Sequence, residues 1–186
     1  MLRNLMSIIT SESDSLFFNS GAKLPAKKDH LWLIVSGVVK SYTVTEDGSL
    51  VTLGFWGIDD LVGDSLSNVL PYTLECIGGV EAIAVPRPQW QTFSCNLLHH
   101  AQQTQHLSYI VRNTKIARRL WLLLEWLADK FGKAIAQGRL IDFKLTHQEL
   151  ANAISTTRIT VTKTLNQFED EGLILRPRTK CIILRT

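Results

Sequence analysis

The segment Leu145–Lys180 constrains the fold more than any other part of this sequence, because it contains two helix patterns separated by a short polar break. Thr146 and Glu149 form a capping box, in which each side chain accepts the backbone amide of the other residue. The short helix that follows ends at Ser155-Thr156-Thr157, and a second helix is predicted from Arg158 to about Asp170. Two short helices joined by a tight turn are typical of a helix-turn-helix.

The second helix has two chemically different faces. At 100° per residue, Val161, Leu165 and Phe168 cluster on one side and are predicted to face the core. The opposite side and its flanks carry Arg158, Ile159, Thr162, Lys163 and Asn166. Hydroxyl residues are poor helix formers, so their number here is unusual for a merely solvated helical hairpin, which is the alternative interpretation. The pattern favours a recognition helix in the major groove of double-stranded DNA, where an arginine can make bidentate bonds to guanine.

Two β-like runs follow this helix, Leu173–Leu175 and Cys181–Leu184, and predict a hairpin. The connection between them carries Arg176, Arg178 and Lys180. A basic hairpin beside a helix-turn-helix can contact the phosphate backbone, and the hydroxyl and amide of Thr157 at the helix start can do the same.

The charge of the chain is distributed unevenly. Residues 1–113 contain seven Lys/Arg and ten Asp/Glu, a net charge of −3, whereas residues 114–186 contain thirteen and seven, a net charge of +6. A basic C-terminal part attached to a mildly acidic N-terminal part indicates that one domain contacts a polyanion.

The N-terminal half is β-rich and the middle of the chain is helical. Leu31 to about Val85 is predicted to form short strands, with Glu46-Asp47-Gly48 as a hairpin turn and with Leu74–Ile77 and Val80–Val85 as two separate strands. After Pro86, helices are predicted over 96–112 and 114–131, with Gly132 as the terminator of the latter. The heptad seam of the former helix is weak.

Several classes of protein are not indicated. The three cysteines are widely spaced and form no CxxC pair, so we expect reduced thiols in a cytoplasmic protein rather than a metal or iron–sulfur site. No apolar run is long enough to span a bilayer. The histidines give no clear haem ligand pair, and we expect His99 and His100 on a solvated or interface face. We expect no metal, no cofactor and no enzymatic activity.

The C-terminal segment resembles the CRP/FNR family (cyclic AMP receptor protein/fumarate-nitrate reduction regulator). The resemblance lies in Leu145–Ala151, Thr157–Val161, Leu165 and Glu169–Ile174, and more weakly in the β-rich half. The run from Arg158 to Lys163 is similar to that of the cyanobacterial global nitrogen regulator branch.

The resemblance implies an α+β fold with a cupin-like β-roll sensor (1–92), a long dimerisation helix (93–113) and a winged helix-turn-helix (114–186). It implies a homodimeric transcription regulator that binds a palindromic operator and contacts RNA polymerase. The implied DNA-contacting residues, together with those derived above, are Thr146, His147, Thr157, Arg158, Ile159, Thr162, Lys163, Asn166, Arg178 and Lys180.

The sequence departs from the family pattern at three places. Ile159 stands where the cyclic AMP receptor branch has a glutamate that reads cytosine, so we expect a different operator. Ser155 stands where a turn glycine is usual, which implies a small strain if its φ is positive. The family's phosphate-binding cassette is represented by Gly63, Asp64 and Ser65 as candidate effector-binding residues, but Leu70-Pro71 replaces its Arg-Ser.

No Lys or Arg lies between Lys40 and Arg87, so we expect no control by cyclic AMP and leave the small-molecule effector open. Three alternatives remain. The sensor could have degenerated, which would leave a constitutive DNA-binding dimer. A cupin-type metalloenzyme is disfavoured, because His30 is the only histidine in residues 30–90. A protein adaptor that uses the hairpin for contacts would bind with a flat salt dependence.

Overall fold

The computed structural model describes residues 15–177 and 181–185. These residues form two compact units. Residues 15–41 and 55–100 belong to the first, and residues 42–54 and 101–185, apart from 178–180, belong to the second. In the described residues, no helix has the length and apolar character needed to cross a membrane.

The N-terminal half forms an antiparallel sheet of five strands. The strands are β1 (Leu16–Phe18), β2 (His30–Val44), β3 (Leu50–Trp56), β4 (Leu61–Val62) and β5 (Thr73–Pro86). The order is β1-β5-β2-β3, and β4 pairs with β2. A 3₁₀ helix of one turn lies between β4 and β5 at Asp64–Leu66, and a longer 3₁₀ helix follows β5 at Arg87–Phe93.

The prediction of two strands on either side of Gly78-Gly79 was wrong, because β5 runs through these glycines without a break. Gly78 has φ of +87°, which a strand tolerates at a glycine. Strand β2 likewise continues through Gly37, where a Cβ atom would lie 2.2 Å from the carbonyl oxygen of Gly79. Two long strands therefore approach closely at glycines that look like turn signals in the sequence.

Aromatic side chains occupy the interior of the first unit. Trp32 and Trp56 are fully buried in its core. The Nε1 of Trp56 donates to the hydroxyl of Ser41 at 2.9 Å. His100 stacks on Trp56 with ring centroids 4.1 Å apart, and its Nδ1 lies 3.0 Å from the carbonyl oxygen of Leu61. The expectation of a solvated or interface face did not include this packing of the His100 ring on Trp56, which leaves His100 half-buried.

The second half begins with two helices, α1 (Ser94–Val111) and α2 (Ile116–Phe131). Helix α2 buries its leucines on one face, and Trp121 meets Phe168 edge to face at 5.6 Å. The sequence did not reveal the hairpin of β6 (Gly132–Ile135) and β7 (Gly138–Ile141) that follows.

The remaining elements are α3 (His147–Ala153), α4 (Arg158–Asp170), β8 (Ile174–Leu175) and β9 (Ile182–Leu184). Strands β8 and β9 pair antiparallel, and β9 also pairs with β7, so the second sheet has the order β6-β7-β9-β8. The predicted hairpin after the second helix is thus one half of a four-stranded sheet.

Candidate nucleic-acid interface

Helix α4 packs as its sequence pattern predicts. Val161 and Leu165 are completely buried, and Phe168 is nearly so. Thr157 is the N-cap, and its hydroxyl accepts the backbone amide of Thr160 at 3.2 Å. The N-cap satisfies an amide that has no partner within the helix and fixes the direction in which α4 begins.

The opposite face of α4 is open to solvent. Arg158, Lys163 and Asn166 are exposed. Ile159 is 69% exposed, which is unusual for a large aliphatic side chain. An apolar side chain flanked by two cations on an exposed helix face suits the major groove, where cations meet guanine and apolar groups meet thymine methyls.

Helix α3 is held by the predicted capping box. The Thr146 hydroxyl accepts the amide of Glu149 at 3.1 Å, and a Glu149 carboxylate oxygen accepts the amide of Thr146 at 2.8 Å. Leu150 and Ile154 are completely buried. Thr146, the N-cap of this helix, is exposed to solvent.

A tight turn at Ser155 connects α3 to α4. Ser155 has φ of +54°, the left-handed region that the sequence comparison with the family pattern anticipated. The amide of Thr156 donates to the carbonyl oxygen of Ala151 at 3.0 Å, which is the six-to-one bond of a Schellman motif. A guanidinium nitrogen of Arg119 donates to the carbonyl oxygen of Ile154 at 3.2 Å. The end of α3 is therefore capped from two sides.

His147 joins the two helices of the motif. Its Nδ1 lies 2.7 Å from the Thr162 hydroxyl oxygen, and that hydroxyl donates to the carbonyl oxygen of Arg158 at 2.9 Å. Partial burial and the neighbouring Arg176 and Arg158 guanidinium groups lower the pKa of His147 below its ordinary value. Both causes favour the neutral form of the imidazole.

Arg176 binds the end of α4, a role that the sequence did not reveal. Its guanidinium donates to the Glu169 carboxylate, at 2.9 Å from Nε, and to the Asn166 side-chain oxygen at 2.7 Å. The bond between Arg176 and the Glu169 carboxylate lowers the pKa of Glu169. Asn166, predicted to contact DNA, thus already accepts a bond from Arg176. The signal available in the sequence was the Arg-Pro-Arg run after β8, without any indication of its partner.

A groove of about 710 Å³ runs between α3, α4 and the C-terminal hairpin. Of the described side chains that line it, three are cationic: Lys144, Arg158 and Arg176. Thr146, His147 and Gln148 line it from the start of α3. The groove therefore brings together Thr146, His147 and Arg158 from the predicted set and adds Lys144 and Arg176, which the prediction omitted. Arg178 and Lys180 lie outside the described residues.

The candidate effector residues make tight local contacts. A Cβ atom on Gly63 would lie 2.6 Å from a methyl carbon of Leu31, and the Ser65 hydroxyl donates to the carbonyl oxygen of Lys28 at 2.7 Å. Partial burial raises the pKa of Asp64. Within the described residues, no group of three or more His, Cys, Asp or Glu side chains is arranged to hold a metal ion.

Comparison with known proteins agrees with this geometry. Residues 114–186 match the Crp-like helix-turn-helix domain. The chain is 37% identical over 165 residues to the regulatory protein CysR of Synechococcus elongatus, with 87% of this chain and 79% of that protein covered. The chain belongs to the CRP/FNR family of transcription regulators.

Two further relatives describe the extent of the likeness. The global nitrogen regulator of Synechococcus elongatus is 28% identical, with 78% of this chain and 73% of that protein covered. The crystal structure of a CRP-family transcriptional regulator from Thermus thermophilus covers 92% of both chains with a TM-score of 0.79 and 21% identity. The expected α+β fold, with a β-rich N-terminal domain and a C-terminal helix-turn-helix domain, is confirmed. This CRP/FNR regulator is a DNA-binding transcription factor and not an enzyme.

Proposed function

We propose that this CRP/FNR regulator binds a palindromic DNA operator as a homodimer, with α4 in the major groove, and that cyclic AMP does not control it. The observation that carries the proposal is the exposed face of α4, where Arg158, Ile159 and Lys163 stand free of the core beside the cationic groove. Arg158, Ile159 and Lys163 face bases, while Thr157, Thr146, His147 and the hairpin cations Arg178 and Lys180 contact phosphates.

The dimer is proposed to form along α1. Leu98 is 61% exposed and Tyr109 is 58% exposed on this helix. Eleven positions separate them, which is close to three turns, so both side chains lie on the same side of the helix. A two-fold axis along this side of α1 would relate the two copies of α4, so that each copy could bind one half-site of an operator. Family membership supports contact with RNA polymerase as a further part of the proposal.

The proposal of no cyclic AMP control rests on the charge of the candidate cassette. A nucleotide phosphate needs a cation or several amides to replace its hydration. Residues 41–86 contain no Lys or Arg, and the half-buried Asp64 carboxyl would face the phosphate. The Ser65 hydroxyl is already bonded to the Lys28 carbonyl oxygen.

Selection of bound duplexes from a random DNA pool tests the proposal. Purified protein without added ligand should enrich a two-fold palindrome whose half-sites lie about one helical turn apart, at roughly physiological salt. Arg158→Ala should weaken this enrichment and broaden the selected sequence, whereas Lys23→Ala, a cation of the first unit, should leave it unchanged. A single asymmetric site would contradict the dimer, and flat salt dependence would favour a protein adaptor instead.

A second candidate function is a constitutive regulator whose sensor binds nothing. Tyr72 favours it, because this side chain packs on the roll core and burial raises its pKa to about 12. Tyr72 packs against the core cluster that contains Trp32 and Trp56, so aromatic rings fill this part of the first unit. The test compares operator affinity with and without cyclic AMP and a small-molecule extract of cells. Unchanged affinity supports the constitutive regulator, and any increase contradicts it.

A further inference from the structure

We propose that His147 couples DNA binding to proton uptake: it is neutral in the free protein and becomes a charged phosphate-contacting group in the complex. The inference rests on the proposed function, because it assigns a protonation step to the same DNA-binding surface. A hydrogen bond between His147 and Thr162 holds the imidazole between α3 and α4.

The hydrogen bonds determine which ring nitrogen carries the proton. The hydroxyl of Thr162 has one proton, and it donates that proton to the carbonyl oxygen of Arg158 at 2.9 Å. Threonine hydroxyls in helices commonly bond the carbonyl four residues earlier. The same hydroxyl oxygen lies 2.7 Å from Nδ1 of His147, so this Nδ1 must donate to it. In the neutral ring, Nε2 therefore carries no proton. It can only accept a hydrogen bond, so it cannot donate one to a phosphate oxygen.

The surroundings of His147 are strongly cationic. It lines the groove between α3, α4 and the C-terminal hairpin. Among the described residues, the titratable and charged groups that share this groove are Lys144 before α3, Arg158 and Glu169 on α4, and Arg176 and Cys181 on the hairpin. Glu169 is engaged by Arg176, so its carboxylate is not available to the imidazole. The cations oppose protonation in the free protein and agree with a lowered pKa.

A DNA phosphate in the groove reverses this balance. Its negative charge offsets the field of the two arginines and favours the imidazolium. The added proton sits on Nε2, so the ring then donates from both nitrogens, to the Thr162 hydroxyl and to the phosphate oxygen. The contact between α3 and α4 is kept, because it uses Nδ1 in both states. DNA affinity should therefore rise as the pH falls, by up to about tenfold per pH unit for each proton taken up.

The test measures binding of fluorescently labelled, mixed-sequence duplex DNA to the full chain by anisotropy, between about pH 6 and pH 8. A mixed-sequence probe suffices, because a phosphate contact is independent of sequence. His147→Asn keeps a donor near the position of Nδ1 but cannot titrate, so its affinity should be nearly independent of pH. His30→Asn, the same replacement at the start of β2, should keep the wild-type slope.

Salt dependence provides a second readout. An added phosphate contact steepens the slope of log affinity against log salt by about 0.9. The wild type should therefore show a steeper slope at low pH than at high pH, and His147→Asn should show equal slopes. Nitrogen NMR of the His147 ring should find the proton on Nδ1 in the free protein and a pKa that rises when DNA is added.

The outcomes separate this proposal from the proposed function. If the wild type binds DNA and His147→Asn keeps the same pH dependence, the proton coupling is wrong and the DNA-binding surface stands. If the wild type binds no DNA at any pH even at low salt, the proposed function fails and this inference fails with it. Loss of binding by His147→Asn at high pH, where both side chains are neutral, would assign His147 to the packing of α3 against α4 alone.

Discussion

Replacing Ser155 with glycine is expected to stabilise the second unit by about 0.5–1 kcal/mol. Ser155 has φ of +54°, and a residue with a Cβ atom loses about 1–2 kcal/mol in this region. Glycine removes that strain but gives the unfolded chain more freedom, which costs roughly 0.4–1 kcal/mol. The difference favours glycine, because the Ser155 side chain is exposed and the hydrogen bond of the Schellman motif does not involve it. That bond joins the backbone amide of Thr156 to the carbonyl oxygen of Ala151.

Two measurements check this value. Urea unfolding should show a higher midpoint with an unchanged slope, and thermal unfolding should shift upward by about 1–4 °C for a chain of this size. Hydrogen exchange localises the effect, because the amides of the buried residues Val161 and Leu165 should exchange more slowly.

Ser155→Ala is the matched control, since alanine is also small but retains a Cβ atom. It should give no stabilisation. Equal stabilisation by alanine and glycine would refute the argument from backbone strain, and so would a glycine variant that is less stable than the wild type.

Three further predictions concern the DNA-binding surface and the proposed dimer interface along α1. Arg158→Ala should lower operator affinity by about 1–3 kcal/mol and relax base preference, and unchanged specificity in a repeated duplex selection would remove Arg158 from the base contacts. Tyr109→Asp should shift sedimentation toward a monomer and weaken DNA binding, while Tyr109→Phe should do neither; a dimeric aspartate variant would place the interface elsewhere. Glu169→Gln should cost about 1 kcal/mol or less by urea unfolding. Because the folded pKa of Glu169 is lowered, its contribution is present above about pH 4.5 and lost as the pH falls, so identical acid profiles of wild type and variant would contradict the Arg176 pair.

Local patterns made the helix-turn-helix predictable. The capping box at Thr146 depends on residues three apart, and the buried face of α4 depends on the helical period. Both signals lie within a single element, so a single sequence contains them. The positive φ of Ser155 was anticipated on a different ground, because the family resemblance places a turn glycine at this position.

The features that the sequence did not reveal depend on distant residues. Gly37 and Gly78-Gly79 look like strand breaks in the sequence, but β2 and β5 run through them. Only the pairing of these strands across the sheet, with the close approach of Gly37 to Gly79, explains the glycines. The hairpin after α2 was missed because its strands have four residues each and no clear alternation of apolar and polar residues.

The groove itself was predicted only in part. Its outward residues on α4 follow from periodicity, whereas the bond from His147 to Thr162 spans fifteen positions and joins two elements. The contact of Arg176 with Glu169 and Asn166 depends on how the hairpin folds back onto α4. Residue spacing within a single helix or strand cannot predict such contacts between elements.

The bonds from Arg176 to α4 bear on attempts to give this regulator a new operator. Transplanting residues 158–170 from a relative exchanges Asn166 and Glu169 along with the base-facing positions. If the donor helix lacks these two acceptors, the Arg176 guanidinium loses its anchors beside the groove, and a loose cation there favours every DNA sequence equally. Such a chimera would gain affinity without discrimination. Helix α4 and the C-terminal hairpin therefore have to be transplanted together, so that the bonds between them are kept.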